Sequence, residues 1–276
     1  MKTSAINLLS LLLLFSFASL AQSPQLKKLW ETDSTLKVPE SVLYYETEKI
    51  LFVSNIDGKS GEKDLVGSIR KVSLDGKIIS PAWATNLSAP KGMGISGTSL
   101  YVADLHEIVV IDLKSGKVTD RIPVSGSIFL NDITIDPSGV VYVSDSKTGK
   151  VHTIRGKTVT TYLENKPGVN GLLAIQDELY LVAKGTLYRA DKNKNLSTIS
   201  EGMDESTDGI VQVGNDFIVS CWNGIIYHVS ATGQRKTLLD TRSEKSNTAD
   251  IGYDPATRTL FVPTFFKNKV VAYRLD

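Results

Sequence analysis

One stretch of the sequence decides the fold: Thr207-Asp208-Gly209-Ile210-Val211-Gln212-Val213-Gly214-Asn215-Asp216-Phe217-Ile218-Val219-Ser220-Cys221-Trp222-Asn223-Gly224. An acidic residue and a glycine lead into an alternating apolar run. A Gly-Asn-Asp turn follows, and a second apolar run ends in a polar corner. This pattern predicts a β-hairpin with one charged side chain at its entrance.

The hairpin pattern occurs six times, and its polar entrance residues stand 38 to 51 residues apart. A third strand follows each hairpin, as in Gly224-Ile225-Ile226-Tyr227-His228-Val229, and a turn then precedes a fourth strand. Four strands per repeat at this spacing are typical of propeller blades. A β-sandwich also has many short strands, but it has no reason to repeat its hairpin entrance six times. We therefore predict an all-β, six-bladed β-propeller.

The two ends of the chain should close this ring. The last repeat stops after its third strand at Asp276, whereas Gln25-Leu26-Lys27-Lys28-Leu29-Trp30-Glu31 reads as a strand without a repeat of its own. We predict that this strand completes the sixth blade and removes an exposed sheet edge. The polar insertion Asp57–Asp64 is expected to be a mobile loop, because no helix follows it as in a phosphate-binding loop.

The first residues have the features of an export signal. After Met1-Lys2, the segment from Ile6 to Leu20 is almost purely apolar, and small residues end it at Ala21. We predict a signal peptide over residues 1–21, a propeller domain over residues 22–276, and a periplasmic or secreted protein. A membrane anchor is the alternative, but the apolar run is shorter than the ~20 residues that cross a bilayer.

The balance of charges disfavours two classes of partner. The chain has 31 basic and 30 acidic residues, so its net charge of +1 does not favour binding to nucleic acid or to an anionic membrane. After signal cleavage we expect a monomer that does not bind membranes. Cys221, the single cysteine, cannot form an intramolecular disulfide. Its apolar neighbours predict a buried strand position rather than a nucleophilic thiol.

The inner strand of every blade lines the central channel, so the strand entrances should converge at one end of the axis. The polar residues there are Glu40, Lys91, Asn131 with Asp132, Asn170, Asp208 and Asp250. Carboxylates and carboxamides offer oxygen ligands, which suit calcium, magnesium or manganese, and zinc is an alternative. The competing interpretation is that Asp, Asn and Gly at strand starts are only turn residues. Recurrence at one interior register favours a site.

These entrances resemble those of the senescence marker protein, gluconolactonase and luciferin-regenerating enzyme family. The residues that carry the resemblance are Pro39-Glu40, Asn131-Asp132, Val169-Asn170-Gly171 and Thr207-Asp208-Gly209 with Cys221-Trp222-Asn223-Gly224. The resemblance implies a six-bladed propeller that holds one divalent cation, for which we expect calcium, and hydrolyses lactones or related esters. It implies that Glu40, Asn170 and Asp208 bind the metal, that Asn131 contacts the substrate or a metal-bound water, and that Asp208 accepts a proton.

One position departs from the family pattern. Sugar-lactone hydrolases of the family have an arginine two residues before the asparagine that matches Asn131, and this chain has Phe129 there. Phenylalanine cannot hydrogen-bond sugar hydroxyls as a guanidinium does, so a more apolar lactone or ester is expected. Lys91 and Asp250 have no counterpart in the family pattern, and we expect them either to pair across the channel or to contact the substrate. The alternative function is a non-catalytic propeller that binds a ligand or a protein and has a structural channel metal.

Overall fold

A computed structural model describes residues 24–276. In this part of the chain, 24 strands form six antiparallel sheets of four strands each, and two short 3-10 helices occupy Arg242–Glu244 and Phe265–Lys267. The predicted all-β, six-bladed β-propeller is confirmed, and the β-sandwich is excluded. The proposed signal peptide, residues 1–21, lies outside the described residues. Over those same described residues, no helix is both long enough and apolar enough to span a bilayer.

The strands follow one another in chain order within blades 1 to 5. The chain begins with β1 (Leu26–Glu31), which is followed by blade 1 with β2 (Pro39–Tyr45), β3 (Ile50–Asn55), β4 (Gly67–Ser73) and β5 (Ile78–Leu87). Blade 2 contains β6 (Pro90–Ser96), β7 (Ser99–Asp104), β8 (Glu107–Asp112) and β9 (Val118–Pro123). Blade 3 contains β10 (Leu130–Ile135), β11 (Val141–Asp145), β12 (Lys150–Arg155) and β13 (Thr158–Leu163).

The second half of the ring repeats this arrangement. Blade 4 contains β14 (Val169–Ile175), β15 (Glu178–Ala183), β16 (Thr186–Ala190) and β17 (Leu196–Ser200). Blade 5 contains β18 (Thr207–Val213), β19 (Asp216–Cys221), β20 (Ile225–Val229) and β21 (Arg235–Asp240). Blade 6 contains β22 (Gly252–Asp254), β23 (Thr259–Pro263), β24 (Val270–Leu275) and, from the other end of the chain, β1. The first strands of neighbouring blades contact one another, so they line the axis.

The N-terminal strand closes the ring, as the sequence predicts. β1 pairs antiparallel with β24, from Leu26 opposite Leu275 to Glu31 opposite Val271. The ring of Trp30 packs against Phe261 of β23 with a centroid distance of 5.9 Å. Blade 6 therefore depends on residues from both ends of the chain.

The hydrophobic core is divided among the boundaries between blades. Six clusters of buried side chains each join two neighbouring blades, such as Phe52 of blade 1 with Val102 of blade 2. Because both faces of a blade pack on neighbours, its inner strands carry continuous apolar runs rather than strict alternation. Cys221 belongs to one of these clusters and is fully buried in β19, as predicted.

A bulge recurs at the entrance of the first strand in blades 1 to 5. The register shifts once there, for example between Thr207 and Ile210 of β18. Such a bulge sets two residues opposite one and so redirects a side chain. In blade 4 the second bulge residue is Gly171, where a Cβ would lie 2.1 Å from the carbonyl oxygen of Asp208. Glycine is needed here because the next blade approaches so closely.

Candidate functional site

The bulges direct the polar entrance residues into a cavity at one end of the axis. Its volume is about 340 Å³, and its lining includes Glu40, Lys91, Phe129, Asn131, Asn170 and Asp208. Six of the eight residues predicted for the site therefore lie around one cavity. The chain contributes them from blades 1 to 5, so no short segment of sequence contains the site.

Asp250 and Asp132 lie elsewhere, which differs from the expected convergence at one end. Both line a second cavity of about 620 Å³ on the opposite side of the channel. Asp132 is the second residue of its bulge, and its carboxylate accepts bonds from the backbone N–H of Ile133 and, across the blade boundary, of Leu172, both at 2.6 Å. The Asp250 carboxylate accepts a bond from the Ser41 hydroxyl. Both aspartates thus connect neighbouring blades.

Two buried oxygen atoms in the first cavity lack a hydrogen-bond donor. Asn170 uses its Nδ2 to donate to Oδ1 of Asp208 at 2.8 Å. The Oδ1 atom of Asn170 and the Oε2 atom of Glu40 are buried and have no hydrogen-bond partner among residues 24–276. Burial of such oxygens is unfavourable unless a donor or a cation reaches them. Glu40, Asn170 and Asp208 therefore fit a divalent cation that prefers oxygen ligands.

The electrostatics of the channel also favour a bound cation. Burial raises the pKa of Glu40 well above its usual range, and Asp208 raises it further, while Lys91 acts in the opposite direction. Burial likewise raises the pKa of Asp208, and so do the charges of Asp250 and Asp132. A divalent cation would offset this repulsion and keep Glu40 and Asp208 ionised near neutral pH.

The types of side chain at the proposed metal site limit which cations it could bind. Over residues 24–276, no group of three or more His, Cys, Asp and Glu side chains is placed to hold a metal. The proposed set has two carboxylates, so the carboxamide of Asn170 has to supply its third protein ligand. An all-oxygen set of this kind suits hard cations such as calcium or magnesium.

Lys91 forms one wall of the cavity together with Phe129. The Lys91 side chain is 1% exposed, and its Nζ donates to the carbonyl of Ala89 at 2.9 Å. The same Nζ lies 4.4 Å from the centroid of the Phe129 ring, within the range of a cation–π interaction. Burial lowers the pKa of Lys91, whereas the charges of Glu40 and Asp104 raise it. Phe129 thus faces a cation inside the site.

Hydrogen bonds fix the substrate-contact candidates of blade 3. The backbone N–H of Phe129 donates to Oδ1 of Asp145 at 3.0 Å, which anchors the segment before β10. Asn131 donates from Nδ2 to the hydroxyl of Ser146 at 3.1 Å, and that hydroxyl donates to the carbonyl of Val169 in blade 4. The amide of Asn131 is therefore held in one orientation at the cavity wall.

The structure adds an apolar wall that the sequence analysis missed. Ile56, Trp222 and Phe265 line the same cavity. Each follows the second strand of its blade, and that strand ends beside the entrance of the first strand because the two are antiparallel. Ile56 and Trp222 directly follow their second strands and so share a position that the repeat could have indicated, whereas Phe265 lies one residue further on, in a 3-10 turn, and has no such signal.

No family model matches the chain, and no curated protein matches it. Solved structures do share its fold. A nidogen/laminin complex matches with a TM-score of 0.66 and 17% identity, covering 79% of this chain and 85% of that chain. Streptogramin B lyase matches with a TM-score of 0.64 and 12% identity over 92% and 98% of the two chains.

A catalytically inactive variant of virginiamycin B lyase from Staphylococcus aureus, in complex with quinupristin, matches with a TM-score of 0.63. It is 13% identical, over 92% of this chain and 100% of that chain. At these identities the comparisons establish the fold. This protein is a six-bladed β-propeller, and the solved proteins of the same fold include an enzyme and a protein in a complex with another protein.

Proposed function

We propose that this protein is an exported, divalent-metal-dependent hydrolase of lactones or related esters. The observation that carries the proposal is the pair of buried, unpartnered oxygens of Glu40 and Asn170 beside the Asn170–Asp208 hydrogen bond. They lie at the wall of an open cavity, where a cation and a small substrate could meet. Calcium is the expected ion.

Asp208 is the proposed general base. Asn170 occupies one of its carboxylate oxygens, which leaves the other oxygen to accept a proton from an attacking water. Asn131 and Lys91 lie at the same cavity and would orient the substrate carbonyl through hydrogen bonds. A bound cation would polarise that carbonyl and lower the pKa of water. The chain then needs no nucleophile of its own.

A binding propeller with a structural cation is the second candidate. The observation that favours it is the exposure of large apolar side chains at this end of the ring, above all Phe266, which is 65% exposed. Exposed apolar groups around a cavity are typical of interaction sites. The nidogen/laminin complex is an example in which a protein of this fold is found with another protein.

The test is turnover of a panel of lactones and simple esters by chelated protein to which calcium, magnesium, manganese or zinc is returned. Asp208→Asn serves as the catalytic variant, and Asp177→Asn, on an exposed turn, is its matched control. We expect cation-dependent hydrolysis by the wild type and the control and its loss in Asp208→Asn. If the cation is demonstrably bound and no substrate is turned over, the hydrolase proposal is wrong and the binding propeller is the better account.

A further inference from the structure

Three aromatic rings form a cluster at the mouth of the cavity. Trp222 and Phe265 lie 5.4 Å apart, Phe265 and Phe266 lie 4.8 Å apart, and Trp222 and Phe266 lie 5.9 Å apart, measured between ring centroids. The planes cross at 78° to 89°, the edge-to-face arrangement that stabilises aromatic pairs beyond simple burial. Trp222 and Phe265 line the cavity, while Phe266 projects into solvent at its edge.

Hydrogen bonds fix the two chain segments that carry these three rings. The N–H of Trp222 donates to the carbonyl of Ser206 at 2.8 Å, and Asn247 donates from Nδ2 to the carbonyl of Trp222 at 2.8 Å. The turn that carries Phe265 and Phe266 is anchored to blade 1, because Oδ1 of Asn268 accepts a bond from the N–H of Val38 at 3.0 Å. The aromatic surface is therefore preformed rather than assembled by a ligand.

Phe265 adopts a backbone conformation that is unusual for a bulky residue. Its φ is +47°, in the left-handed region that non-glycine residues rarely occupy. Such strain persists where the surrounding structure requires it, and it is concentrated at functional sites. Here it places the Phe265 ring, which is 9% exposed, against the cavity.

Exposed apolar side chains are concentrated at this end of the propeller. Among the described residues, six large hydrophobic side chains are exposed, and four of them lie on loops that enter or leave the strands at the cavity end: Leu65, Val66, Ile128 and Phe266. Single exposed apolar residues are ordinary, but a group around one cavity indicates a binding surface. The cavity thus has polar side chains at its inner end, next to the channel, and apolar side chains around its mouth.

We propose that Trp222, Phe265 and Phe266 form a subsite for an apolar substituent of the substrate, such as the alkyl chain of a lactone. The substrate carbonyl would lie at the polar end near Asp208, and its chain would extend over the aromatic cluster. The inference rests on the proposed hydrolase function and specifies its substrate class. Because the subsite is preformed, each methylene that it buries adds to the binding free energy without first ordering the wall.

The experiment measures kcat/KM for γ-butyrolactone, γ-octalactone and γ-dodecalactone with wild type, Trp222→Ala and Phe266→Ala at saturating cation. The control is Leu29→Ala, an exposed apolar residue on β1. We expect kcat/KM of the wild type and the control to rise with chain length, by up to about fourfold per buried methylene. The ratio of γ-dodecalactone to γ-butyrolactone should fall by about tenfold or more in Trp222→Ala and Phe266→Ala.

Trp222 provides a second measurement that needs no turnover. γ-Dodecalactone should change the tryptophan fluorescence of Asp208→Asn, and Trp222→Phe in the same background should remove most of that change. If γ-butyrolactone is hydrolysed and the chain-length ratio is unchanged in both alanine variants, the subsite is wrong while the hydrolase stands. If none of the lactones is hydrolysed with cation bound, the proposed function is wrong, and this inference with it.

Discussion

Asn170 donates from its Nδ2 to Oδ1 of Asp208 at 2.8 Å, across the boundary between blades 4 and 5. This bond orients the carboxamide so that its own Oδ1 remains buried at the cavity without a donor in the described structure. It also engages only one oxygen of Asp208. The pair therefore combines a potential metal ligand with a potential general base, two roles that mutation can separate.

The first prediction separates those roles at Asp208. Asparagine keeps an oxygen that can coordinate a cation but cannot accept a proton near neutral pH. Asp208→Asn should therefore bind cation more tightly than Asp208→Ala and lose turnover by ~10²–10⁴-fold relative to wild type. Calorimetric titration gives the affinity, and lactone hydrolysis at saturating cation gives the rate. Wild-type turnover in Asp208→Asn would exclude Asp208 as the base.

The second prediction concerns the anionic ligand of blade 1. Glu40→Gln removes a charge from a residue that is 5% exposed, so cation affinity should fall by about tenfold or more. Glu62→Gln is the matched control, since the side chain of Glu62 is 54% exposed in the loop of blade 1. The measurement is titration of calcium, magnesium, manganese and zinc into the three proteins. Equal affinity in all of them would place the cation elsewhere.

The sequence predicted the ring and most of the cavity because both follow from one repeated hairpin. The repeat spacing specifies the blades, and the shared register brings Glu40, Asn170 and Asp208 together. It could not separate Asp132 from Asn131, because a bulge places these two adjacent residues opposite one partner and the sequence does not show which enters which cavity. Asp250 differs for another reason: it precedes β22 of blade 6, which pairs with β23 without a bulge.

The aromatic residues of the apolar wall, Trp222 and Phe265, were not predicted from the sequence, for a different reason. Trp222 directly follows its second strand, whereas Phe265 comes after Thr264 in a 3-10 turn. These connections differ in length and conformation between blades, so the repeat does not align them. Contact of Lys91 with the Phe129 ring, 4.4 Å away, likewise joins two blades and has no signal in the local sequence.

The third prediction is a pH dependence of stability. Burial raises the pKa of Asp250 to about 7 in the folded protein, well above the value of about 3.9 in an unfolded chain. Protonation of Asp250 thus favours the folded state, and this contribution is lost as pH rises through 7. In chelator, the stability of wild type relative to Asp250→Asn should fall between pH 5 and pH 8.

Other shifted groups either add to this fall or cancel. The charge of Asp250 raises the pKa of Asp208, Asp132 and Glu40, and Asp250→Asn removes that effect, so their titration acts in the same direction. Burial lowers the pKa of His152, which acts in the opposite direction, but His152 is present in both proteins and cancels in the difference. Saturating calcium should reduce the dependence, because a cation compensates the ionised channel carboxylates. Thermal unfolding of both proteins at several pH values provides the test. If the stability of wild type relative to Asp250→Asn is constant or rises with pH, the prediction is wrong.

The fourth prediction concerns the close approach of blades 4 and 5. A methyl group at Gly171 would lie 2.1 Å from the carbonyl oxygen of Asp208, so Gly171→Ala has to displace the backbone that carries the proposed base. We expect a loss of about 1–3 kcal/mol of unfolding free energy, together with weaker cation binding. Gly61→Ala, where no heavy atom lies within 4 Å of the added carbon, is the control. Equal stability of the two variants in denaturant titrations would refute the argument.

The last prediction tests closure of the ring at β1. Trp30 packs on Phe261 of β23, and Lys269 after that strand donates to Glu31 at 2.5 Å, so β1 carries both apolar and charged contacts of blade 6. Trp30→Ala should lower the free energy of unfolding by about 2–4 kcal/mol. Leu29→Ala, whose side chain is 45% exposed on the same strand, should change it by less than about 0.5 kcal/mol.

Deletion of residues 22–31 should have a larger effect and abolish cooperative unfolding, because it exposes the edge of β24. Unchanged thermal unfolding of the truncated protein would show that three strands suffice for the last blade and that β1 only covers its edge.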